Sequence, residues 1–159
     1  MAAPPVTERA TPDGAMLDNG YQALVAFNAA PNVQLWEKEV TPPGIDGGEP
    51  IDTMTQHDVT WSTQRPRALK KHTNGSFTAG YDPYILHDPG SIINLEQGIT
   101  WHYPDGSSET YWGYVKSFVP TGMTDGTMPT ATVEIVITNW DPYNCVVAGP
   151  VYTAGTGSC

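Results

Sequence analysis

Residues 99–140, ITWHYPDGSSETYWGYVKSFVPTGMTDGTMPTATVEIVITNW, alternate apolar and polar side chains more regularly than any other part of the chain. A Pro-Asp-Gly-Ser turn separates residues 99–103 from residues 108–119, and a second glycine-containing loop leads to residues 130–140. A period of two residues indicates half-buried strands, and the short connections favour antiparallel neighbours. The stretch therefore predicts a three-stranded meander, in which Gly113 marks a bulge or a close contact.

Weaker strand signals precede the meander. YQALVAF (21–27) and VQLWEKEV (33–40) are apolar runs on either side of Pro31-Asn32, and the pattern predicts a hairpin turned at that pair. SFTAGYD (76–82) alternates and predicts a further strand.

One short helix is expected between the strands. Asp88 is a suitable N-cap, Pro89 fits the first helical position, and Gly98 predicts the end. The 16 glycines and 15 prolines disfavour long helices elsewhere. The predicted fold class is mainly β, a β-sandwich or partial barrel with one short helix and long loops.

The chain of 159 residues divides into three predicted regions around one core. Residues 1–20 read as a flexible N-terminal arm, residues 21–142 as the β domain, and residues 143–159 as an irregular C-terminal tail. Within the domain, residues 41–74 form a loop much longer than the usual connection, which is typical of a functional segment. Residues 57–62 could form a short strand inside it.

The long loop concentrates opposite charges, and four of the seven basic residues of the chain lie between Arg65 and Lys71. Such a cluster is either a solvated face or a polar contact with a partner subunit. Subunit or ring contacts are predicted at two sets of residues, the charged residues of the loop and three aromatic residues of the meander. They are Arg65, Arg67, Lys70, Lys71, Asp46, Glu49, Asp52, Trp112, Tyr114 and Phe118.

The composition bears on partners and location. A net charge of −10 disfavours sequence-specific nucleic-acid binding, and suits either solubility or a surface past which nucleic acid moves without sticking. Cys145 and Cys159 are expected as free thiols, with a late loop-closing bridge left open. Without a signal-peptide pattern or an 18-residue apolar segment, we expect synthesis and solubility in a cytoplasm.

The sequence offers no pattern for catalysis. It lacks G-x-S-x-G and P-loop motifs, and its four histidines, spaced 15 residues apart, do not form a metal-ligand pattern. Asp105 and Glu109 beside a turn are better explained as solvated carboxylates than as a glycosidase pair. We therefore expect no enzyme activity, cofactor or metal. The aromatic side chains of the meander are core and interface, or alternatively a sugar-binding platform.

Residues 99–140 also resemble the C-terminal half of tail tube proteins (major tail proteins) of bacteriophages with long, non-contractile tails. The shared pattern is a strand, a Pro-Asp-Gly turn, a strand ending in aromatic-Gly-aromatic-Val-x-Ser-Phe, an Asp-Gly loop and an alternating strand. The segments VQLWEKEVTPPGIDGGEPIDTMT and SFTAGYD resemble the family's first strands and long loop.

The resemblance implies a virion protein that forms stacked, hexameric rings around a channel for genomic DNA. It implies a tape measure protein and tail-end or neck proteins as further partners, without a membrane. The lumen strands would lie among residues 33–40, 99–103, 108–119 and 130–138, and residues 41–74 would reach the next ring. The alternatives are a capsid decoration or cement protein and a carbohydrate- or receptor-binding β module.

Overall fold

The main element of the protein is one antiparallel sheet. The computed structural model describes residues 23–31, 33, 35–57, 59–81, 89–104 and 106–155. The elements are β1 Leu24–Phe27, β2 Trp36–Thr41, β3 Ile45–Asp46, β4 Ile51–Asp52, β5 Gln64–Arg65, β6 Lys71–His72, β7 Gly75–Gly80, α1 Pro89–Ile92, β8 Gln97–His102, β9 Ser108–Pro120, β10 Thr130–Ile137, β11 Trp140–Asp141, β12 Val146–Val147 and β13 Val151–Thr153. The sheet has the strand order β1-β8-β9-β10-β7-β2, and β13 also pairs with β9.

Several predictions fall outside the described residues. They concern the N-terminal arm at residues 1–20, the N-cap at Asp88, the carboxylate of Asp105 and the thiol of Cys159. Cys145 is described, and its thiol is exposed.

The meander is present as predicted, with β9 between β8 and β10. On β10, Ala131, Val133 and Ile135 are buried, whereas the alternating positions are more exposed. The register between β9 and β10 shifts where Ser117 pairs with Glu134 and Val115 pairs with Ile135. One extra residue on β9 therefore forms a bulge, which raises the local twist of the sheet.

Gly113 is the predicted close contact, and the bulge lies elsewhere. A Cβ atom at this position would collide with the carbonyl oxygen of Val136 and lie 3.1 Å from its carbonyl carbon. These are backbone atoms within the sheet, so a side chain cannot be accommodated by a rotamer change.

We expect Gly113→Ala to lower the free energy of unfolding by about 2–4 kcal/mol, because overpacking here moves backbone in two strands. Urea denaturation followed by circular dichroism would measure the change. Gly122→Ala is the matched control, since nothing lies within 4 Å of a Cβ atom at that position. Equal stability of the two variants would contradict this account.

The sheet curls into a partial barrel, with β1 and β2 as its two outer strands. The rings of Phe27 and Phe77 lie 6.5 Å apart although their strands are not neighbours in the sheet. Between β1 and β2, the Val25 N–H donates to Oε1 of Glu37 at 3.2 Å. The mainly β fold class is confirmed. The core on the concave face consists of Val25, Phe27, Val33, Leu35, Phe77, Ala79, Ile92, Ile99, Trp101, Tyr111, Val115, Val133 and Ile135.

Glu37 makes the β1–β2 junction sensitive to pH. Burial raises the pKa of its carboxyl group from 4.5, although backbone hydrogen bonds at Glu37 and from Val25 oppose the shift. The folded state then binds the proton more tightly than the unfolded state, so ionisation of Glu37 lowers stability as the pH rises above about 4.5.

We expect Glu37→Gln, which retains an acceptor for Val25, to gain stability relative to the parent protein between pH 4 and pH 7. Urea unfolding of both proteins across that range would measure the difference. A difference that does not change with pH would contradict the assignment.

The predicted hairpin of residues 21–27 and 33–40 is wrong. β1 pairs with β8 and β2 pairs with β7, and no ladder joins β1 to β2. Between them, Val33 and Leu35 are buried in the core, and the Val33 N–H donates to the Ala30 carbonyl at 3.0 Å. These contacts direct the chain across the concave side, so that β2 reaches the other outer position.

The described part of the chain contains one helix, as expected, but it is a single turn. It ends at Ile92, whereas Gly98, the predicted terminator, lies inside β8. The chain turns at Asn94, which has a φ of 60° and donates its N–H to the Val115 carbonyl at 3.0 Å. Asparagine tolerates the left-handed region, so glycine is not needed there.

The C-terminal tail is more regular than predicted. β11 and β12 form a short hairpin, and β13 pairs with β9 so that Val151 lies opposite Thr110. The reason is that β10 leaves β9 at Gly113, which exposes the β9 edge at Ser108 to the returning chain.

The turn of that hairpin is organised by the buried Asp141. Its carboxylate accepts the N–H groups of Tyr143 at 2.9 Å and Asn144 at 3.2 Å. Burial raises the pKa of this carboxyl group, but the hydrogen bonds from Asn144 and Tyr143 outweigh it and the net pKa is lowered.

Candidate assembly surface

The predicted loop at residues 41–74 is an extended β-hairpin, here called the arm. It leaves the barrel from β2 and returns to β7. Two antiparallel ladders join its branches, β3 with β6 and β4 with β5. Beyond them, the Thr53 N–H donates to the Thr63 carbonyl at 3.0 Å. The prediction of a strand at residues 57–62 is wrong, because the described residues of that segment lie in the tip loop, residues 54–62.

The arm is exposed along almost its whole length. Described residues 47–71 are all exposed, including Val59 at 95%, Trp61 at 82% and Leu69 at 86%. One branch could reach up to about 50 Å if fully extended. Large apolar side chains on a projection without a core make the arm a candidate contact surface.

The base of the arm is fixed to the barrel. His72 Nδ1 lies 2.9 Å from Oδ1 of Asn139, and the His72 ring packs edge-on against Tyr111 at 5.4 Å. The Tyr111 hydroxyl donates to the Glu109 carboxylate at 2.8 Å. Burial, together with this carboxylate, raises the pKa of Tyr111, so the hydroxyl remains a donor at all physiological pH values. The direction in which the arm leaves the barrel is thus set by packed side chains.

The middle of the arm is linked by Arg67. Its Nε–H donates to the Glu49 carbonyl at 2.8 Å. A Cβ atom at Gly48, which has a φ of 75°, would lie 3.1 Å from Cδ of Arg67, so glycine allows both the turn and the close passage of this side chain. The two branches therefore stay side by side between the ladders.

All seven charged residues predicted as contacts lie on the arm. Lys71 Nζ lies 3.5 Å from Oδ2 of Asp46. The Gly48 N–H donates to Asp46 at 2.8 Å, and this bond together with Lys71 lowers the pKa of the carboxyl group. The structure does not test whether these residues contact another subunit. Acidic residues occupy the first branch and basic residues the second, namely Asp46, Glu49 and Asp52 against Arg65, Arg67, Lys70 and Lys71.

A second exposed apolar group lies at the opposite end of the barrel, because Trp36 pairs with Gly80 at the end of the β2–β7 ladder remote from the arm. The Met128 methyl group lies over Gly80, 2.6 Å from where a Cβ atom would stand. We call this group the rim. Its side chains are between 56% and 74% exposed and belong to Trp36, Val119, Met123 and Met128.

Sequence patterns did not identify the rim, the tip residue Trp61 or Leu69. Trp61 stands among threonines and other polar residues, and an isolated tryptophan in a polar loop was the available signal. The rim combines side chains from β2, β9 and the loop before β10, which come together only in the folded sheet.

The three predicted aromatic contacts are half-buried side chains of β9. The Trp112 ring packs against Tyr143 at 6.0 Å, and the Phe118 ring lies 6.4 Å from Tyr81 and packs against the core. Tyr114 lines a groove of about 490 Å³. The other lining residues are Asn94, Leu95, Glu96 and Pro142. Trp112 and Tyr114 stand two residues apart on β9 and therefore share one face of the sheet. The structure does not test any of the three aromatic residues as a subunit contact.

The described residues contain no group of three or more His, Cys, Asp or Glu side chains arranged to bind a metal ion. Over the same residues, no helix has the length and apolar character needed to cross a membrane.

Comparisons with known proteins inform the fold. No family model matches the sequence, and no curated protein matches it. A chain from the cryo-EM structure of the anti-feeding prophage (AFP) baseplate, 6-fold symmetrised, superposes with a TM-score of 0.54. The match covers 73% of this chain and 87% of that chain at 11% sequence identity. At such identity the similarity shows a shared fold.

Proposed function

We propose that this chain is a structural subunit of a phage or phage-derived particle, and that it assembles as stacked, hexameric rings into a tail tube. It catalyses nothing in this role. The protein is made in the host cytoplasm and ends in the tail of the virion. A tape measure protein occupies the tube, and tail-end or neck proteins close it.

The observation that carries the proposal is the position of two exposed apolar surfaces at opposite ends of one barrel. The arm, with Trp61 at its tip, leaves one end, and the rim around Trp36 and Met128 lies at the other. Different surfaces that bind each other in a head-to-tail manner generate rings or filaments instead of closed dimers. In a stack of rings, the arm of each subunit contacts the rim of a subunit in the adjacent ring, so both exposed surfaces become covered.

The shared fold supports an assembly of this kind. The AFP baseplate from which the similar chain comes was symmetrised six-fold, which is the symmetry proposed for the ring. The match covers most of both chains, so the similarity extends beyond a single hairpin.

The distribution of charge supports a channel for DNA. Four acidic and four basic residues lie in the arm, so the rest of the chain, with 13 acidic and 3 basic residues, carries the whole net charge of −10. A lumen built from the barrel would repel the phosphate backbone and let genomic DNA pass without binding.

Negative-stain electron microscopy of the purified chain at rising concentration tests the proposal. The expected result is rings and tubes of constant bore, and a map of the tube should show an acidic lumen. Monomers at every concentration would contradict tube formation. Compact trimers would indicate a capsid decoration protein, and a lumen lined with lysine and arginine would overturn the proposed channel.

A second candidate is a carbohydrate- or receptor-binding module, which the groove beside Tyr114 favours. A groove of about 490 Å³ with an aromatic ring, an amide at Asn94 and a carboxylate at Glu96 has the size and polarity of a small-ligand site. Glycan-array binding that is lost in both Tyr114→Ala and Trp112→Ala would support this role.

A further inference from the structure

The arm has an acidic side and a basic side. The acidic branch, residues 45–52, carries three carboxylates, and the basic branch, residues 64–72, carries four cations. Because the branches run side by side, one long edge of the arm is negative and the other is positive. Such an object is complementary to a second copy of itself placed alongside in the same orientation.

Contacts within one arm use only part of this charge. Lys71 pairs with Asp46, and Arg67 binds a backbone carbonyl instead of a carboxylate. Among the described residues, no ion pair is formed by Glu49, Asp52, Arg65 or Lys70, and all four are exposed. Two negative and two positive side chains thus remain available on opposite edges.

The backbone of the arm is also incompletely paired. Each of its ladders contains only two residue pairs. Within the described chain, each of the four strands β3, β4, β5 and β6 pairs with one other strand and has one open edge. A two-stranded ribbon without a core is marginal in water, and open strand edges favour pairing with another strand. A neighbour along each edge would supply the missing contacts.

We infer that the acidic edge of each arm pairs with the basic edge of the arm on the adjacent copy in the same ring, so that the arms form a closed collar. This inference rests on the proposed ring assembly and adds a lateral contact to the axial one. Each copy gives one edge to each neighbour, so the contact is heterologous and closes with the ring. The tip loop stays free to meet the rim of the next ring.

Charge reversal on each edge separates contacts between copies from contacts within one arm. The acidic-edge variant carries Glu49→Lys and Asp52→Lys, and the basic-edge variant carries Arg65→Glu and Lys70→Glu. Both leave the Asp46–Lys71 ion pair unchanged. In each variant alone, both edges of the arm carry the same sign of charge, so neighbouring copies repel each other. We expect ring formation by either variant to need a protein concentration about 10-fold higher than the parent protein needs.

An equimolar mixture should restore ring formation, because copies with two positive edges can alternate with copies with two negative edges in a six-membered ring. The quadruple variant should also assemble alone. Glu39→Lys with Glu96→Lys changes the net charge like the acidic-edge variant at exposed positions outside the arm and the rim, and it should assemble normally. Analytical ultracentrifugation at low and high salt gives the readout, and the defects should weaken with salt.

Three results would overturn the collar. If the acidic-edge variant assembles normally and the basic-edge variant alone fails, the basic edge meets the acidic barrel of another copy. If the mixture of the two variants forms no rings, the charged residues act within one arm and not between copies. In both cases the parent protein still forms rings, so the proposed function stands. If the parent protein forms no rings at any concentration, the proposed function and the collar are both wrong.

Discussion

Replacing residues 47–70 with the two residues Asn-Gly is expected to abolish tube formation and to leave the barrel folded. Asp46 and Lys71 are paired across β3 and β6, so a two-residue turn of the type that Asn-Gly favours can join them. The replaced residues are exposed wherever they are described and contribute nothing to the core. The contacts of His72 with Tyr111 and Asn139 remain.

The free energy of unfolding of the truncated protein should stay within about 1 kcal/mol of the parent value, because surface changes outside the core have small effects. Circular dichroism and urea denaturation would check this, and electron microscopy would check assembly. Tubes formed by the folded, truncated chain would contradict a role of the arm in stacking. Loss of folding would show that the arm stabilises the barrel, contrary to its exposure.

The sequence predicted the meander well because its strands obey one simple rule. Apolar side chains at every second position of β10 can all face a core only in a strand, and the short turn after β8 leaves few choices of partner. Gly113 was identified for a related reason, since a glycine inside a strand has few explanations other than a bulge or a close approach.

The outer strands were not predictable in the same way. Residues 21–27 and 33–40 carry adequate strand patterns, but a pattern does not specify the partner, and a turn signal at Pro31-Asn32 suggested the nearest one. The buried Val33 and Leu35 decide the outcome by entering the core. β13 depends on an edge of β9 that becomes free only after β10 has left it.

The arm was located by its length and charge but not by its shape. Its ladders contain two residue pairs each, which is too short for alternation to be visible in a sequence. The rim could not be predicted from the sequence, because Trp36 and Met128 come together only through the β2–β7 and β7–β10 pairings. Assembly surfaces of this type are properties of the folded end of a barrel, so no local motif marks them.

Trp61→Ala and Met128→Asp are each expected to stop rings from stacking, while a mixture of the two should give stacks of two rings. A tryptophan that becomes buried at an interface often contributes about 3 kcal/mol, or roughly 100-fold in the concentration needed for assembly. An aspartate at Met128 places a charge in the apolar rim, where it would be desolvated on contact. Both side chains are exposed in the free chain, at 82% and 58%, so neither substitution should affect folding.

The two-ring stacks expected from the mixture follow from the head-to-tail geometry. A ring of Trp61→Ala chains keeps an intact rim, and a ring of Met128→Asp chains keeps intact tips, so one contact forms and growth then ends. Tyr152→Ala and Val147→Asp change exposed apolar residues outside both surfaces, and tubes of these controls should reach normal length. Electron microscopy counts the rings in each stack. Long tubes from the mixture, or normal tubes from either variant alone, would show that the tip and the rim do not bind each other.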